Sequence, residues 1–388
     1  MRVFTTLPMR RWREAGPFAA AAEEAGFDAL MTVELGHDPF APLAFAAVAT
    51  KRVELTTSVA VAFPRSPTVI ASQAWDLYSN SNGRFTLGLG SQVKGHNERR
   101  FGIPWSPPAP RLRDYIGALR AVWRCWETGE RLDYRGTHYE LTLMTPDFSP
   151  PPTGLPPIPV AIAAVGEAML RLAGEICYGA RLHPLCSRRY LDEVCLPQIR
   201  EGMRRGGRLR ARFDLHGGGF VVTGPDEAAL AAAIDAVRRR VAFYGSTRTY
   251  LPILSLHRLD DLGLKLHRLS VEGRWSEMPR EIPGRRRAAV RRVRHLSRNR
   301  GGDRGAFRRS RRFDRSELPA RRSRRVATRA VERHPSHPPF LRGLRDGLAG
   351  PSSTVTVHNP AAVSNRDSTR SSAKYSLASS RAARLCTR

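Results

Sequence analysis

The chain has 388 residues and a formal charge of +29 at pH 7, enough length for one large or two ordinary domains. That charge is uneven: residues 284–388 hold 28 of the 64 Lys and Arg but 6 of the 35 Asp and Glu, leaving +7 for residues 1–283. Any nucleic-acid reading must therefore rest on the tail; no run of about 18 apolar residues offers a membrane span, and MRVFTTLPMRRW lacks the apolar core of a secretory signal.

In chain order, residues 2–7 alternate like a short strand, and 18–25 form an Ala-rich helix stopped by Gly26. Residues 28–33 are a second apolar strand, ending in Glu34-Leu35-Gly36-His37-Asp38-Pro39. A helix over 42–50 leads to the β-branched run 52–63, and a helix over 67–78 leads to a strand over 84–89. That strand ends in Gly88-Leu89-Gly90-Ser91-Gln92, where glycines let backbone come close to a bound group or simply let a loop turn. Residues 115–126 place Ile116, Leu119, Val122 and Trp123 on one helical face.

The rhythm breaks over 127–157, a small hairpin followed by proline-rich chain. It resumes as strand 158–164, helix 167–176, strand 180–183, helix 188–205, strand 218–222 and helix 225–243. Seven strand–helix steps precede residue 250. Short connections imply parallel strands in right-handed βαβ units, and the count points to an α/β protein of the (β/α)8 barrel type. An open flavodoxin-like or Rossmann sheet is the other arrangement, although no GxGxxG follows the first strand. Five cysteines without a CxxC pair read as reduced thiols of a cytoplasmic protein, with no metal site among them.

Several separated segments resemble the bacterial luciferase-like monooxygenases: EEAGFDAL (23–30), VELTTSVAVAFPRSP (53–67), GRFTLGLGSQVKGH (83–96), PPIPVAIAAVGEAMLRLAGE (156–175) and YGARLHP (178–184). VKGHNERRFGIPWSPPAPRLRDYI resembles more closely a subgroup that depends on coenzyme F420, a 5-deazaflavin. The resemblance covers residues 1–283 and implies a luciferase-like TIM barrel binding coenzyme F420, or alternatively FMN, at the C-terminal ends of its strands. With F420 the chemistry is hydride transfer to or from a small organic molecule; with FMN it is monooxygenation with O2. Dimerisation through the early helices is also typical of the family.

The resemblance places a non-prolyl cis peptide at Ser58-Val59, bulging toward the flavin ring, and sets Gly90, Ser91 and Gln92 against that ring. Gln92 can hydrogen-bond ring carbonyls. Ala164, Val165 and Gly166 lead into a helix whose first N–H groups can reach a phosphate, while Glu167 would repel one if it pointed inward. His183, after the sixth strand, joins the cofactor-facing candidates. Glu34 and His37 are the catalytic candidates at the rim, where relatives carry acidic and His residues for proton handling. The sequence has VELGHDPF in place of the family's commoner E-H-H pattern, which offsets His37. Each position also has a plain structural reading as a loop polar group or a packing residue.

From Gly284 the text becomes Arg-, Ser- and Pro-rich without period. Three readings are open: a disordered basic extension, a nucleic-acid arm, or out-of-frame translation. Shifting one base lets the junctions across 290–297 read Phe-Ala-Val-Ser-Gly-Thr-Tyr, and those across 306–310 read Arg-Phe-Gly-Gly, as this subgroup closes its barrel. On that reading the barrel is incomplete at its eighth strand and the chain is an inactive truncated barrel or a weakened one.

Overall fold

The computed structural model describes residues 2–208, 213–217, 219–222 and 226–282, with the backbone of 290–292 and 355–357. A curled parallel sheet wrapped by helices is built from repeated strand–helix units. Its strands are β1 (Val3–Thr6), β2 (Ala29–Thr32), β3 (Glu54–Thr57), β4 (Ala60–Val61), β5 (Phe85–Gly90), β8 (Val160–Ala164), β9 (Gly179–Leu182) and β10 (Asp214–His216). β6 (Tyr134–Arg135) and β7 (Glu140–Leu141) form the small antiparallel hairpin expected in the interruption.

The sheet runs β10-β9-β8-β5-β3-β2-β1, all parallel, with β4 also pairing β5. β11 (Phe220–Val222) pairs β12 (Val290–Arg292), and β13 (Val355–Val357) pairs β1. Among the described residues no single strand joins β1 to β10 and β11. There the two edges meet through side chains: the Phe4 and His216 rings stack at 4.5 Å, and Arg2 lies 3.4 Å from Asp214. The rest of the tail lies outside the described residues, as does its expected disorder.

The helices are α1 (Trp12–Glu24), α2 (Ala41–Ala49), α3 (Pro67–Asn80), α4 (Lys94–Arg99), α5 (Pro108–Thr128) and α6 (Glu167–Ile176). α7 (Arg188–Tyr190), a π turn (Leu191–Cys195) and α8 (Leu196–Arg205) make one long element, followed by α9 (Glu227–Gly245), α10 (Leu251–Leu256) and α11 (Asp260–Val271). α5 shows why these segments are helical. Its Leu112, Tyr115, Ile116, Leu119, Val122, Trp123 and Trp126 recur at helical spacing and are all buried. Each such side chain contributes about 1.5–3 kcal/mol of burial. Gly129, at φ 74°, ends the helix with its N–H on the Cys125 carbonyl at 2.9 Å.

Three expectations need adjusting. α1 starts six residues before the expected 18, carrying Pro17 inside it. The seventh strand has two pieces, because Gly217 and Gly219 take φ values of 139° and 93° and break the ladder after His216. The helical reading of 188–205 holds, but the π turn interrupts it before Pro197.

Along β9, Ala180 and Leu182 join the main core under the helices, so Gly179 and Arg181 face the sheet's concave side. Arg181 is 5% exposed and bonds Asp214 Oδ2 at 2.6 Å. Its register partners are Ala163 and His216. One interior row therefore passes from small residues on β5 and β8 to large polar ones on β9 and β10.

Candidate active site

The C-terminal ends of β3, β4, β5 and β8 converge on one mouth. The peptide between Ser58 and Val59 is cis, where the resemblance placed it. Ser58 N–H donates to the Thr32 carbonyl at 2.7 Å, and the chain beyond the bond pairs Ala60 with Leu89 and Val61 with Gly90. Gly88 and Gly90 make this approach feasible. A Cβ on Gly88 would lie 1.9 Å from the Thr57 carbonyl oxygen, and one on Gly90 would lie 2.5 Å from Val59 Cγ2. The glycines of the β5 corner are thus packing requirements of the bulge, and the bulge shapes the mouth.

Glu34 sits inside this architecture with both oxygens engaged. Arg65 donates to it twice, at 2.8 and 3.0 Å, and Val61 N–H donates at 2.7 Å. Arg65 also donates to the Val61 carbonyl at 2.9 Å, and Tyr115 Oη donates to the Arg65 carbonyl at 3.1 Å. A carboxylate held by a bidentate guanidinium and a backbone amide is a clamp on the bulge; Oε2 takes two donors and Oε1 one. His37 is exposed in the turn between Glu34 and Asp38. Asp38 caps α2 by accepting from Phe40 and Ala41 N–H at 2.8 and 2.9 Å, and Arg100 donates to the Leu35 carbonyl at 2.7 Å.

Beyond β5, Gln92 takes a left-handed φ of 58° and its Oε1 accepts from Val93 N–H at 3.2 Å. That bond engages the amide oxygen and leaves Nε2, the group able to donate to a ring carbonyl, outside it. Asn97, 1% exposed on α4, holds this corner by donating to the Ser91 carbonyl at 3.0 Å, while its Oδ1 is buried without a partner. Thr6 Oγ1, at the end of β1, is likewise buried and unpartnered. Asn97, Thr6 and Arg65 were not singled out from sequence; the family-like segments contain Asn97 and Arg65 but not Thr6.

Ala164 is buried at the end of β8, and Gly166 caps α6 with no atom within 4 Å of where its Cβ would be. Glu167 pairs with Arg171 at 3.2 Å and stays largely exposed, so its carboxylate is turned along the helix surface. Tyr190 Oη donates to the Val165 carbonyl at 3.1 Å and fixes the turn. His183 is enclosed by Tyr244 and Tyr250, with ring centroids at 4.1 and 4.5 Å. Its Nδ1 accepts from Leu185 N–H at 3.0 Å, which leaves the ring proton on Nε2. Burial lowers its pKa to about 4, so the imidazole is neutral.

These residues fit a flavin-type coenzyme. The strand ends around the bulge carry only small side chains, Gly90 and Ala163 among them, and the α6 N-terminus at Gly166 is open to an anion. Ser58, Val59, Gly90 and Ala163 would lie under the ring, and Val165 and Gly166 would face its anionic side chain.

The sequence profile of the luciferase-like monooxygenases matches residues 2–292, past the boundary drawn at 283 from composition. An uncharacterized protein of Mycobacterium tuberculosis is 47% identical over 264 residues, 68% of this chain and 78% of that protein. The F420-dependent glucose-6-phosphate dehydrogenase of Beutenbergia cavernae is 33% identical over 221 residues, 52% of this chain and 62% of the relative, under two thirds of its length. The coenzyme F420 dependent tetrahydromethanopterin reductase from Methanopyrus kandleri superposes with a TM-score of 0.60 at 23% identity, covering 73% of this chain and 82% of that one. At that identity the likeness is one of fold.

Proposed function

The chain belongs to the luciferase-like monooxygenase family, a class of oxidoreductases and monooxygenases, and from that premise we propose that it transfers hydride between coenzyme F420 and a small organic substrate. The observation that carries this reading is the mouth itself: a cis Ser58–Val59 bulge seated on Gly90, beside an open α6 N-terminus. The F420-dependent relatives favour the deazaflavin over FMN. When bound, F420 supplies or accepts the hydride.

The chain's own residues supply binding and orientation. Arg65 and Glu34 hold Val61 and hence the bulge at a fixed height. Neutral His183 adds no charge beside the site, and Val165–Gly166 offers helix N–H groups to an anion. The enclosing rings of Tyr244 and Tyr250 keep water from that side.

Titrating the full chain with F420 and with FMN, and following quenching of coenzyme fluorescence, tests the assignment. Saturable quenching of F420 at micromolar levels with none for FMN is the expected outcome. Binding of FMN alone moves the reading to oxygen-dependent monooxygenation, and binding of neither removes it. The chain is expected to work as a cytoplasmic homodimer, which sedimentation of the purified protein checks.

A further inference from the structure

Beside the β8–α6 turn lies a pair of thiols that the proposed hydride chemistry does not use. Cys186 follows β9 and Cys195 ends the π turn; their sulfurs are 3.8 Å apart. Both are buried, Cys186 at 6% and Cys195 at 1% exposure. With Ala164, Val165, His183 and Tyr190 they line one small cavity. We propose that Cys186 and Cys195 form an oxidisable dithiol, a modification site whose closure into a disulfide loosens the β8–α6 turn.

The chemistry balances with a peroxide as oxidant. The Cys186 sulfur attacks one peroxide oxygen, the O–O bond breaks, and a sulfenic acid and water form. The Cys195 sulfur then attacks the Cys186 sulfur, the S–O bond breaks, and a second water leaves with the remaining thiol proton. Two thiols are oxidised and one peroxide is reduced. Cys186 is the entry point because it is the more exposed of the two. The hydrogen bond from Cys195 also lowers the Cys186 pKa, favouring the nucleophilic thiolate there.

Closure has a mechanical consequence. A disulfide needs its sulfurs at about 2.05 Å, so the pair must close by about 1.8 Å from its present 3.8 Å. The intervening segment carries Tyr190, whose hydroxyl holds the Val165 carbonyl at 3.1 Å. It also carries Ser187, whose hydroxyl caps α7 and meets His257 Nε2 at 2.6 Å. Drawing the segment's ends together shifts Tyr190 relative to Val165 and frees the turn that opens α6. The inference does not depend on which coenzyme binds.

Reduced full-length protein treated with hydrogen peroxide and digested without reductant should yield a peptide linking Cys186 to Cys195, which dithiothreitol reverses. Amide exchange over residues 164–170 should rise severalfold on oxidation, and stay unchanged in Cys186→Ser and Cys195→Ala proteins given the same peroxide. The linked-peptide readout needs only the natural chain, so a variant that fails to fold leaves the test intact. Thiols that stay titratable, Cys186 passing directly to sulfinic acid, or a link to any other cysteine would overturn the dithiol. A 186–195 link without a change in exchange would overturn its effect on the turn.

Discussion

The arc from β1 through β5 to β9 and the stretch from β10 back to β1 solve the same closure problem in opposite ways. Along the arc, neighbouring strands pair by backbone, and the concave side chains shrink to Gly88, Gly90, Ala161 and Ala163. At the seam, the ladder from β9 ends at His216 and β1 pairs only the short β13; between β10 and β1, bulky or charged side chains take over, Phe4 on His216 and Arg2 near Asp214, with Arg181 on Asp214 behind them. Where the ladder supplies cohesion, side chains are free to be small and leave room for a ligand. Where it does not, the side chains themselves must hold the edges, and the room is used up.

The largest effect should come from supplying the seam with a strand. We expect resequencing to reveal a one-base shift near codon 284, and the corrected chain to melt cooperatively where the present one aggregates on heating. An intact frame running to a stop after Arg388 in repeat reads defeats this.

Next in size is Asp214→Ala. It strands the Arg181 guanidinium, 4% exposed, without its carboxylate, and should cost about 3–5 kcal/mol by urea unfolding. A loss below ~1 kcal/mol would mean the seam does not depend on that pair. On the arc side, Gly88→Ala should cost about 3 kcal/mol, because the methyl meets backbone with no side chain able to yield.

His183 separates the two regions by pH. Its folded pKa of about 4 lies below the ordinary 6.5, so the unfolded chain binds the extra proton as pH falls. Stability from this group is full above pH 6.5 and is lost as pH drops toward 4, by about 2 kcal/mol between pH 7 and pH 5. His183→Asn should flatten that slope; an unchanged slope would show that the ring is not held neutral. The smallest effect is Glu34→Gln, which keeps the shape but weakens the clamp on Val61. Coenzyme binding should weaken about tenfold, or about 1.4 kcal/mol, with the melting temperature nearly unchanged.

The arc was legible because each strand is a short apolar run followed by an amphipathic helix, a pattern that survives without knowing any contact. β10 was not. The strand was expected over 218–222, and only the pairing of His216 with Arg181 shows that DLH before it is a strand as well. The position of the cis bond came through family likeness; nothing in Thr-Thr-Ser-Val demands it. The Glu34–Arg65 clamp joins residues far apart in sequence, in segments that read separately as a strand end and a loop. That is why Glu34 was read from sequence without Arg65 as its partner. Thiol proximity is hidden for the same reason, since the π turn changes which helical positions face one another.

The Glu34–Asp38 turn has one consequence for how such a protein diversifies. Its first residue is anchored by Arg65, its last caps α2, and Arg100 holds the Leu35 carbonyl, yet Leu35, Gly36 and His37 are exposed between those fixed posts. A segment pinned at both ends and free in the middle is a replaceable cassette. Natural drift or a library over those three positions can rewrite the exposed side chains of this turn while the barrel beneath keeps its shape.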